Sequence, residues 1–517
     1  MMKIQHIHTL GQLKKSGYQP RTVKEEIRAN LIQKIQQKEP PFTGIVGYED
    51  TVIPDTERAI LSRHNILFLG LRGQAKTRMA RQMVDLLDEY IPVIEGSEIN
   101  DDPLLPMSKF ARDLIAEQGD ETPIQWLHRS ERYGEKLATP DVSVADLIGD
   151  IDPIKAANLK LSFADEKVIH YGIIPRSNRG IFVINELPDL QARIQVALFN
   201  ILQEGDIQIR GFKLRMPLDI LFVFTANPED YTNRGSIVTP LKDRIQSQIL
   251  THYPKTIEHA LAITEQEAVI GQEQASLVEI SDLVKRLIEQ VAFEARNNEY
   301  VDKKSGVSAR LTIAAFENAV STAERRALMH GEEKTQVWIS DLSGIIPAIT
   351  GKIELVYEGE QEGPYQVAVN LLDKSIRSQF VTYFPNPEQV KKRRPAGKKS
   401  ADEKEPENPY KSVIRWFDAG NQLDLLIDSK DENKIQQLYK VDGLYAFVKK
   451  YFPQANEKQQ ALLMEFVLHG LAAYSLISKK TIEGRIAFKD LIGSMMNLGD
   501  ISLNAEEEDD FNEDDYR

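Results

Sequence analysis

Cysteine is absent from all 517 residues. Its absence excludes a disulfide framework, thiol chemistry and any cysteine-ligated zinc site, and suits a reducing compartment. The nine histidines are scattered. His6 and His8 alternate as on a strand, and no histidine–carboxylate cluster has the spacing of metal ligands, so structural or surface roles are expected for them. No apolar run approaches the length that spans a bilayer. The segment Met1-Met2-Lys3-Ile4-Gln5-His6 lacks the apolar core of a signal peptide. The expectation is a cytoplasmic protein with no membrane span. Negative charge is the one excess: the formal net charge is −14. Half of it lies in the tail, where Glu506, Glu507, Glu508, Asp509, Asp510, Glu513, Asp514 and Asp515 are opposed only by Arg517. Such a tail is expected to be disordered and solubilising.

What is present begins with the apolar run Asn65-Ile66-Leu67-Phe68-Leu69, followed by Gly70-Leu71-Arg72-Gly73-Gln74-Ala75-Lys76-Thr77 and a helical stretch from Arg78 to Leu87. A loop between a buried strand and a helix N-terminus points successive backbone N–H groups at an anion. Lys76 then reaches the β- and γ-phosphates of a nucleotide, and Thr77 holds magnesium. The last glycine of the usual phosphate-loop pattern is Ala75 here. An alanine is tolerable at negative φ and costly at the positive φ that glycine takes cheaply.

Two further apolar runs end in polar residues. Gly180-Ile181-Phe182-Val183-Ile184 leads into Asn185-Glu186, and Asp219 to Ala226 leads into Asn227-Pro228. A nucleotide hydrolase needs an oxygen ligand near magnesium at one strand end and a carboxylate beside it to orient the attacking water. Glu186 fits the second role. Asn185 offers the first only a neutral amide oxygen, which puts catalytic rate in question more than binding. Asn227 stands at the C-terminal end of its strand, where open α/β sheets gather ligands. In Thr239-Pro240-Leu241-Lys242-Asp243-Arg244, Arg244 suits a bidentate grip on phosphate oxygens, with a surface salt bridge to Asp243 or a neighbouring acid as the plainer reading.

Assembled in this order, the motifs resemble the AAA+ ATPases, and within them the magnesium chelatase I-subunit and MoxR group, from about Phe42 to Ile349. Phe42-Thr43-Gly44-Ile45-Val46-Gly47 is similar to the family's adenine-side entry segment, so Ile45 and Val46 join Gly70, Gly73, Gln74, Ala75, Lys76 and Thr77 as expected ATP contacts. Tyr171-Gly172-Ile173-Ile174-Pro175-Arg176-Ser177-Asn178-Arg179-Gly180 resembles the chelatase lead-in to the Walker B strand. The resemblance implies that Lys76 and Thr77 are the Walker A residues, and that Asn185, beside magnesium with Thr77, and Glu186 form the Walker B pair. It further implies Asn227 as sensor 1, Arg244 as the arginine finger, and Arg310 as sensor 2, with Arg325 and Arg326 within reach of a shifted alignment. In the prokaryotic magnesium chelatase-like branch that "NELPDL" and "TPLKDR" resemble, the Asn-Glu pair is a family trait.

Periodicity gives a domain map: a helical extension over 1–40, the AAA+ α/β nucleotide-binding domain with its parallel sheet over 41–255, a helical lid over 256–384, a charged linker over 385–409, a second small all-α domain over 410–500 and the acidic tail over 501–517. Within it, Ile353 to Tyr357 reads as a short strand and Val367 to Phe384 as a helix. Gln203 to Met216 reads as a hairpin with Arg210, Lys213 and Arg215 near its tip. That hairpin could face a polyanion or protein segment, or could simply be solvated. The linker's Lys391-Lys392-Arg393-Arg394 could touch an acidic surface, but such charges are ordinary in linkers.

The expected function is magnesium-dependent ATP hydrolysis by a ring, hexameric by resemblance, that remodels a protein partner carrying a von Willebrand factor A domain. ATP and Mg2+ are the implied cofactors. Porphyrin metallation is a narrower alternative for which no porphyrin site is visible. A nucleic-acid motor or transcription activator is another; the Gly-Ala-Phe-Thr-Gly-Ala loop of sigma-54 activators is absent, and nucleic acid is not the expected partner. A nucleotide-binding scaffold without turnover is the third, prompted by Ala75 and Asn185.

Overall fold

The computed structural model describes residues 6–163, 165–209, 215–228, 236–392, 408–482 and 484–491. The chain divides between Pro254 and Lys255 into two compact units.

The first unit is built on a five-stranded sheet. Its strands are β1 (Ile66–Leu69), β2 (Tyr133–Leu137), β3 (Gly180–Asn185), β4 (Ile220–Ala226) and β5 (Ser247–Leu250). Every pairing is parallel and the order is β5-β1-β4-β3-β2. β3 and β4 are buried at every position, which is why they read in sequence as unbroken apolar runs. Alternate residues serve opposite layers. Ile181, Val183, Leu221 and Val223 join one core with Ile66 and Phe68, while Phe182, Ile184, Phe222 and Phe224 join another with Leu67. In register, Ile66 lies beside Val223, Val223 beside Val183 and Val183 beside Glu135. The C-terminal strand ends therefore meet at one edge, with β1 central enough to be flanked on both sides.

Helix α1 (Val23–Gln37) precedes this sheet and starts on a capping box in which Thr22 and Glu25 each accept from the other's backbone N–H. Val23, Ile27 and Leu31, spaced four apart, enter the same core as Ile66 and Phe68. Its Glu26 is buried against Arg132 in a two-pronged ion pair at 2.7 Å. The lead-in to β3 proves to be a folding element. Asn178 Nδ2 donates to the Ile99 carbonyl and its Oδ1 accepts from the Asp219 N–H. Arg179 pairs with Asp102 at 2.9 Å, and a Cβ on Gly180 would lie 2.3 Å from the Arg132 carbonyl oxygen.

Helix α2 (Lys76–Gln82) follows the loop after β1, and helix α3 (Ala192–Glu204) follows β3. The expected hairpin is shorter than the pattern suggested. α3 runs through Glu204, Gly205 ends it at φ +71°, and among the described residues Asp206–Gln208 pairs with Arg215–Pro217. The proposed tip, with Arg210 and Lys213, lies outside the described residues.

The second unit has one continuous hydrophobic core. It draws on Asp282–Asn297, Arg310–His330 and Pro364–Tyr383, and equally on Tyr410, Phe447 and the helix Glu457–Ala473. Phe380 and Phe384 of the lid segment pack at 5.6 and 6.3 Å from Phe466. The segment after the linker is not all-α, contrary to expectation. Leu423–Leu426, Ser478–Ile482 and Arg485–Lys489 form an antiparallel three-stranded sheet, and Gly484, at φ +78°, lies in the turn that joins the last two strands. The strand expected at Ile353 to Tyr357 reduces to a single bridge between Val301 and Leu355, since a helix begins at Tyr357. Residues 393–407 of the linker and the acidic tail lie outside the described residues.

Candidate functional site

At the C-terminal end of β1 the chain turns through Gly70 to Ala75. Gly70 donates its N–H to the Ala226 carbonyl at 3.1 Å. A side chain at Gly70 has no room: a Cβ would lie 2.0 Å from Thr251 Oγ1 and 2.2 Å from Gln74 Oε1, and those two are themselves hydrogen-bonded at 2.7 Å. Gly73 takes φ +71°, and Ala75 also stands in the left-handed region, at φ +55°. The condition under which alanine is cheap is therefore not met. Two hydroxyls hold the loop from outside. Tyr48 donates to the Gln74 carbonyl at 2.8 Å and Tyr253 to the Arg72 carbonyl at 2.8 Å. Burial pushes the Tyr48 hydroxyl up to about 12, so it stays a donor. Phe42 and Ile45 of the entry segment are buried beside this loop's helix and Val46 is half-buried.

The side chains expected to act together do meet. Lys76 is buried, and its Nζ donates to the Gly70 and Leu71 carbonyls and to Asn227 Oδ1. Asn227 Nδ2 in turn donates to Glu186 Oε2 at 2.9 Å. Thus one amide joins the loop lysine to the strand-end carboxylate. Glu186 sits at φ +54°, and its N–H donates to Thr225 Oγ1 at 3.1 Å. Thr77 Oγ1 donates to Asn185 Oδ1 at 3.3 Å, and Thr225 Oγ1 to the same oxygen at 3.1 Å.

One participant had no sequence signal strong enough to find it. Glu135 lies on the edge strand β2, and Asn185 Nδ2 donates to its Oε1 at 2.6 Å. Arg81 grips both of its oxygens at 3.0 and 3.1 Å, and Tyr133 donates to Oε2 at 2.8 Å. Burial raises the Glu135 pKa, but the hydrogen bonds from Arg81, Tyr133 and Asn185 outweigh it and hold the carboxyl below its ordinary range.

Arg244 ends a short helix, Thr239–Arg244. Its guanidinium lies 4.9 Å from the Phe199 ring centre and donates to Gln203 Oε1 at 3.1 and 2.7 Å and to the Pro240 carbonyl at 2.7 Å. Among the described residues it has no carboxylate partner, so the salt bridge to Asp243 is not formed. The three sensor 2 candidates belong to the second unit. Arg310 opens a helix with an exposed side chain. Arg325 pairs with Asp428 at 3.1 Å on the surface. Arg326 is fully buried among Asp341, Asp431 and Thr335, a placement that removes it from any ligand.

No group of three or more histidine, aspartate or glutamate residues suited to a metal occurs among the described residues. The site nonetheless fits magnesium carried by a nucleotide, which keeps most of its waters and takes few protein ligands. Thr77 supplies a hydroxyl and Asn185 an amide oxygen at the same spot, under a loop whose first glycine leaves space for no side chain. The fit to phosphate rests on a buried lysine aimed across that loop.

A family model described as the Sigma-54 interaction domain matches residues 158–249, which span β3 to β5. The chloroplastic magnesium-chelatase subunit ChlI of Nicotiana tabacum is 24% identical over 340 residues, covering 63% of this chain and 76% of that protein. The ChlI subunit of Chlorella vulgaris is 24% identical over 330 residues, covering 59% of this chain and 86% of its own. Among solved structures, a chain of the magnesium-chelatase BchI–BchD complex is 19% identical, covers 62% of this chain and 98% of its own, and has a TM-score of 0.33. Over this stretch the chain is homologous to the I subunits of magnesium chelatase.

Proposed function

We propose that this AAA+ protein binds Mg·ATP at the loop from Gly70 to Thr77 and hydrolyses it in a ring, using the cycle to remodel a protein partner. The observation that carries the reading is the continuous connection from Lys76 through Asn227 to Glu186. It ties the group that would touch the γ-phosphate to the group that would orient water.

Bound magnesium would neutralise β- and γ-phosphate charge between Thr77 and Asn185. Lys76 exchanges its loop carbonyls for phosphate oxygens. Glu186 accepts a hydrogen bond from the attacking water and takes its proton, while Asn227 fixes the carboxylate orientation. Ile45 and Val46 would line the adenine side. Arg244 is held by Phe199 and Gln203 on α3, the helix that follows Glu186, and it would serve the phosphates of a neighbouring subunit. By resemblance Arg310 would be sensor 2. By resemblance the ring is a hexamer and its partner a protein with a von Willebrand factor A domain. No described helix is long and apolar enough to cross a membrane. The sigma-54 activator reading is disfavoured because the Gly-Ala-Phe-Thr-Gly-Ala loop is missing from the sequence.

Subunit mixing tests this reading. Glu186→Gln and Arg244→Ala should each bind ATP and assemble, with turnover lowered about 10³-fold for the arginine if it behaves as other fingers do. Mixed, they should recover part of the activity, because some interfaces then join an intact Glu186 to an intact Arg244. Wild-type protein that binds ATP and never hydrolyses it, with or without partner, would establish a scaffold instead. Mixed rings that exchange subunits but stay inactive would make Arg244 a structural residue.

A further inference from the structure

We infer that Glu135 is a positioning residue for magnesium, supplying through the Asn185 amide the negative charge that an aspartate at position 185 would have carried. The inference rests on the reading of this site as the Mg·ATP site. Its geometry is specific. Glu135 pairs in register with Val183, and Asn185 lies two residues further along β3, so both side chains leave the same face of the sheet. That face is the one on which α2 packs, through Met79 and Ala80. α2 also presents Thr77 to Asn185 and Arg81 to Glu135.

The hydrogen-bond pattern fixes which end of the amide does what. An ionised carboxylate only accepts, so the Asn185 nitrogen must face Glu135, and its oxygen must face the hydroxyls of Thr77 and Thr225. A carboxylate at hydrogen-bond distance from the NH2 group draws electron density toward the amide oxygen. The oxygen beside Thr77 thus becomes a better acceptor for a magnesium-bound water than an isolated amide would be. Arg81 and Tyr133 keep the Glu135 carboxylate charged and aimed. The same arrangement explains why Asn occupies the position. An aspartate at 185 would put a second carboxylate beside Glu135, and two like charges sharing a site cannot both stay ionised cheaply.

The test is the magnesium dependence of nucleotide binding, read with a fluorescent ATP analogue titrated with and without Mg2+. Glu135→Gln should raise the magnesium concentration required for half-maximal tight binding about 10- to 100-fold, as loss of a metal's outer support commonly does. Affinity for the metal-free analogue should not change. Asn185→Asp alone should also raise the magnesium requirement, because the repulsion with Glu135 outweighs the added charge. The double variant Glu135→Gln/Asn185→Asp should return to within a few-fold of wild type, since one carboxylate is then restored to the site. This rescue is the result a merely structural role for Glu135 would not produce. An unchanged magnesium requirement in Glu135→Gln, or an equal loss with and without metal, would overturn the inference. So would an Asn185→Asp variant that binds Mg·nucleotide better than wild type, an outcome that stays readable even if Glu135→Gln fails to fold. Wild-type protein whose nucleotide binding ignores magnesium would instead remove the reading of the site itself.

Discussion

Arg326 and Arg310 differ by one buried network, and that difference predicts opposite phenotypes. Arg326 is 0% exposed. Its guanidinium donates to Asp341 Oδ2 at 3.0 Å, Asp431 Oδ1 at 2.7 Å, Thr335 Oγ1 at 3.0 Å and the Gln336 carbonyl at 2.9 Å. Asp341 is equally buried, and Asp431 also accepts from the indole N–H of Trp338 at 2.8 Å. Arg326→Ala would leave two carboxylates without their shared cation, and removing one partner from a buried ion pair costs about 3–5 kcal/mol. For a unit of this size each kcal/mol moves the melting temperature by roughly 2–4 °C, so a fall of about 10 °C is expected. Fluorescence of Trp338, which sits inside the network, is a suitable probe in the full chain. Arg310→Ala, at an exposed position, should change stability by no more than about 0.5 kcal/mol and should lower ATP turnover if Arg310 is the sensor. An Arg326→Ala protein that melts like wild type yet loses turnover would refute the assignment of Arg326 to the core.

Gly70→Ala should weaken nucleotide binding about 5- to 150-fold, because its Cβ would break the Thr251–Gln74 hydrogen bond and overpack the loop at a cost of about 1–3 kcal/mol. Adding Thr251→Ala should recover part of that loss, and simple additivity of the two would count against the steric account. Glu289 is buried, and burial raises its pKa to about 7, against the lowering effect of hydrogen bonds from Thr264 and Thr312. Its folded pKa is above its unfolded one, so the stability it contributes is full below about pH 4.5 and is lost as pH rises through about 7. Glu289→Gln should therefore gain on wild type as pH rises from 5 to 8, by an amount on the order of 2 kcal/mol in denaturant unfolding. A gain independent of pH would refute it.

What could be read in the sequence follows from where each strand lies. β1, β3 and β4 are covered on both faces, so burial forces apolar residues at successive positions and the runs stand out. β2 and β5 are the sheet's edges. Tyr133–Leu137 is only half-buried along its length, and Ser247–Leu250 alternates, so neither produces a run. Glu135 was hidden for that reason, and with it the partner of Asn185. The Asn-Glu pair and Asn227 were visible because they stand at the ends of covered strands, and Lys76 and Thr77 because they close the loop that follows one. The tyrosines that clamp the loop were not. Tyr48 and Tyr253 act through hydroxyl-to-carbonyl bonds across 26 and 181 residues of chain, and no local spacing encodes such a contact. The shared core of the second unit is invisible for a similar reason. Helical periodicity marks a buried face without saying which other face covers it, so Phe380 and Phe466 read as belonging to separate domains.

Ala75 and Glu186 both hold left-handed backbone, a conformation that costs a non-glycine residue about 1–2 kcal/mol, and they flank the polar chain from opposite sides. At Glu186 the cost cannot be removed without removing the chemistry, because glycine would relieve the backbone and delete the carboxylate that Asn227 orients. The position is held by its N–H bond to Thr225 and by the Asp189 N–H that donates to its carbonyl at 2.9 Å. Ala75 is different. Its role in the loop is made by the backbone, and glycine would fill it with less strain. What glycine lacks is the methyl group that packs against the core beneath β1, together with alanine's smaller entropy in the unfolded chain, an advantage of about 0.4–1 kcal/mol. These two gains offset part of the strain they oppose. The cost that remains at Ala75 is one of backbone strain alone, which leaves Asn185 as the departure from the usual phosphate-site pattern with a chemical consequence, and Glu135 as the residue on which that consequence depends.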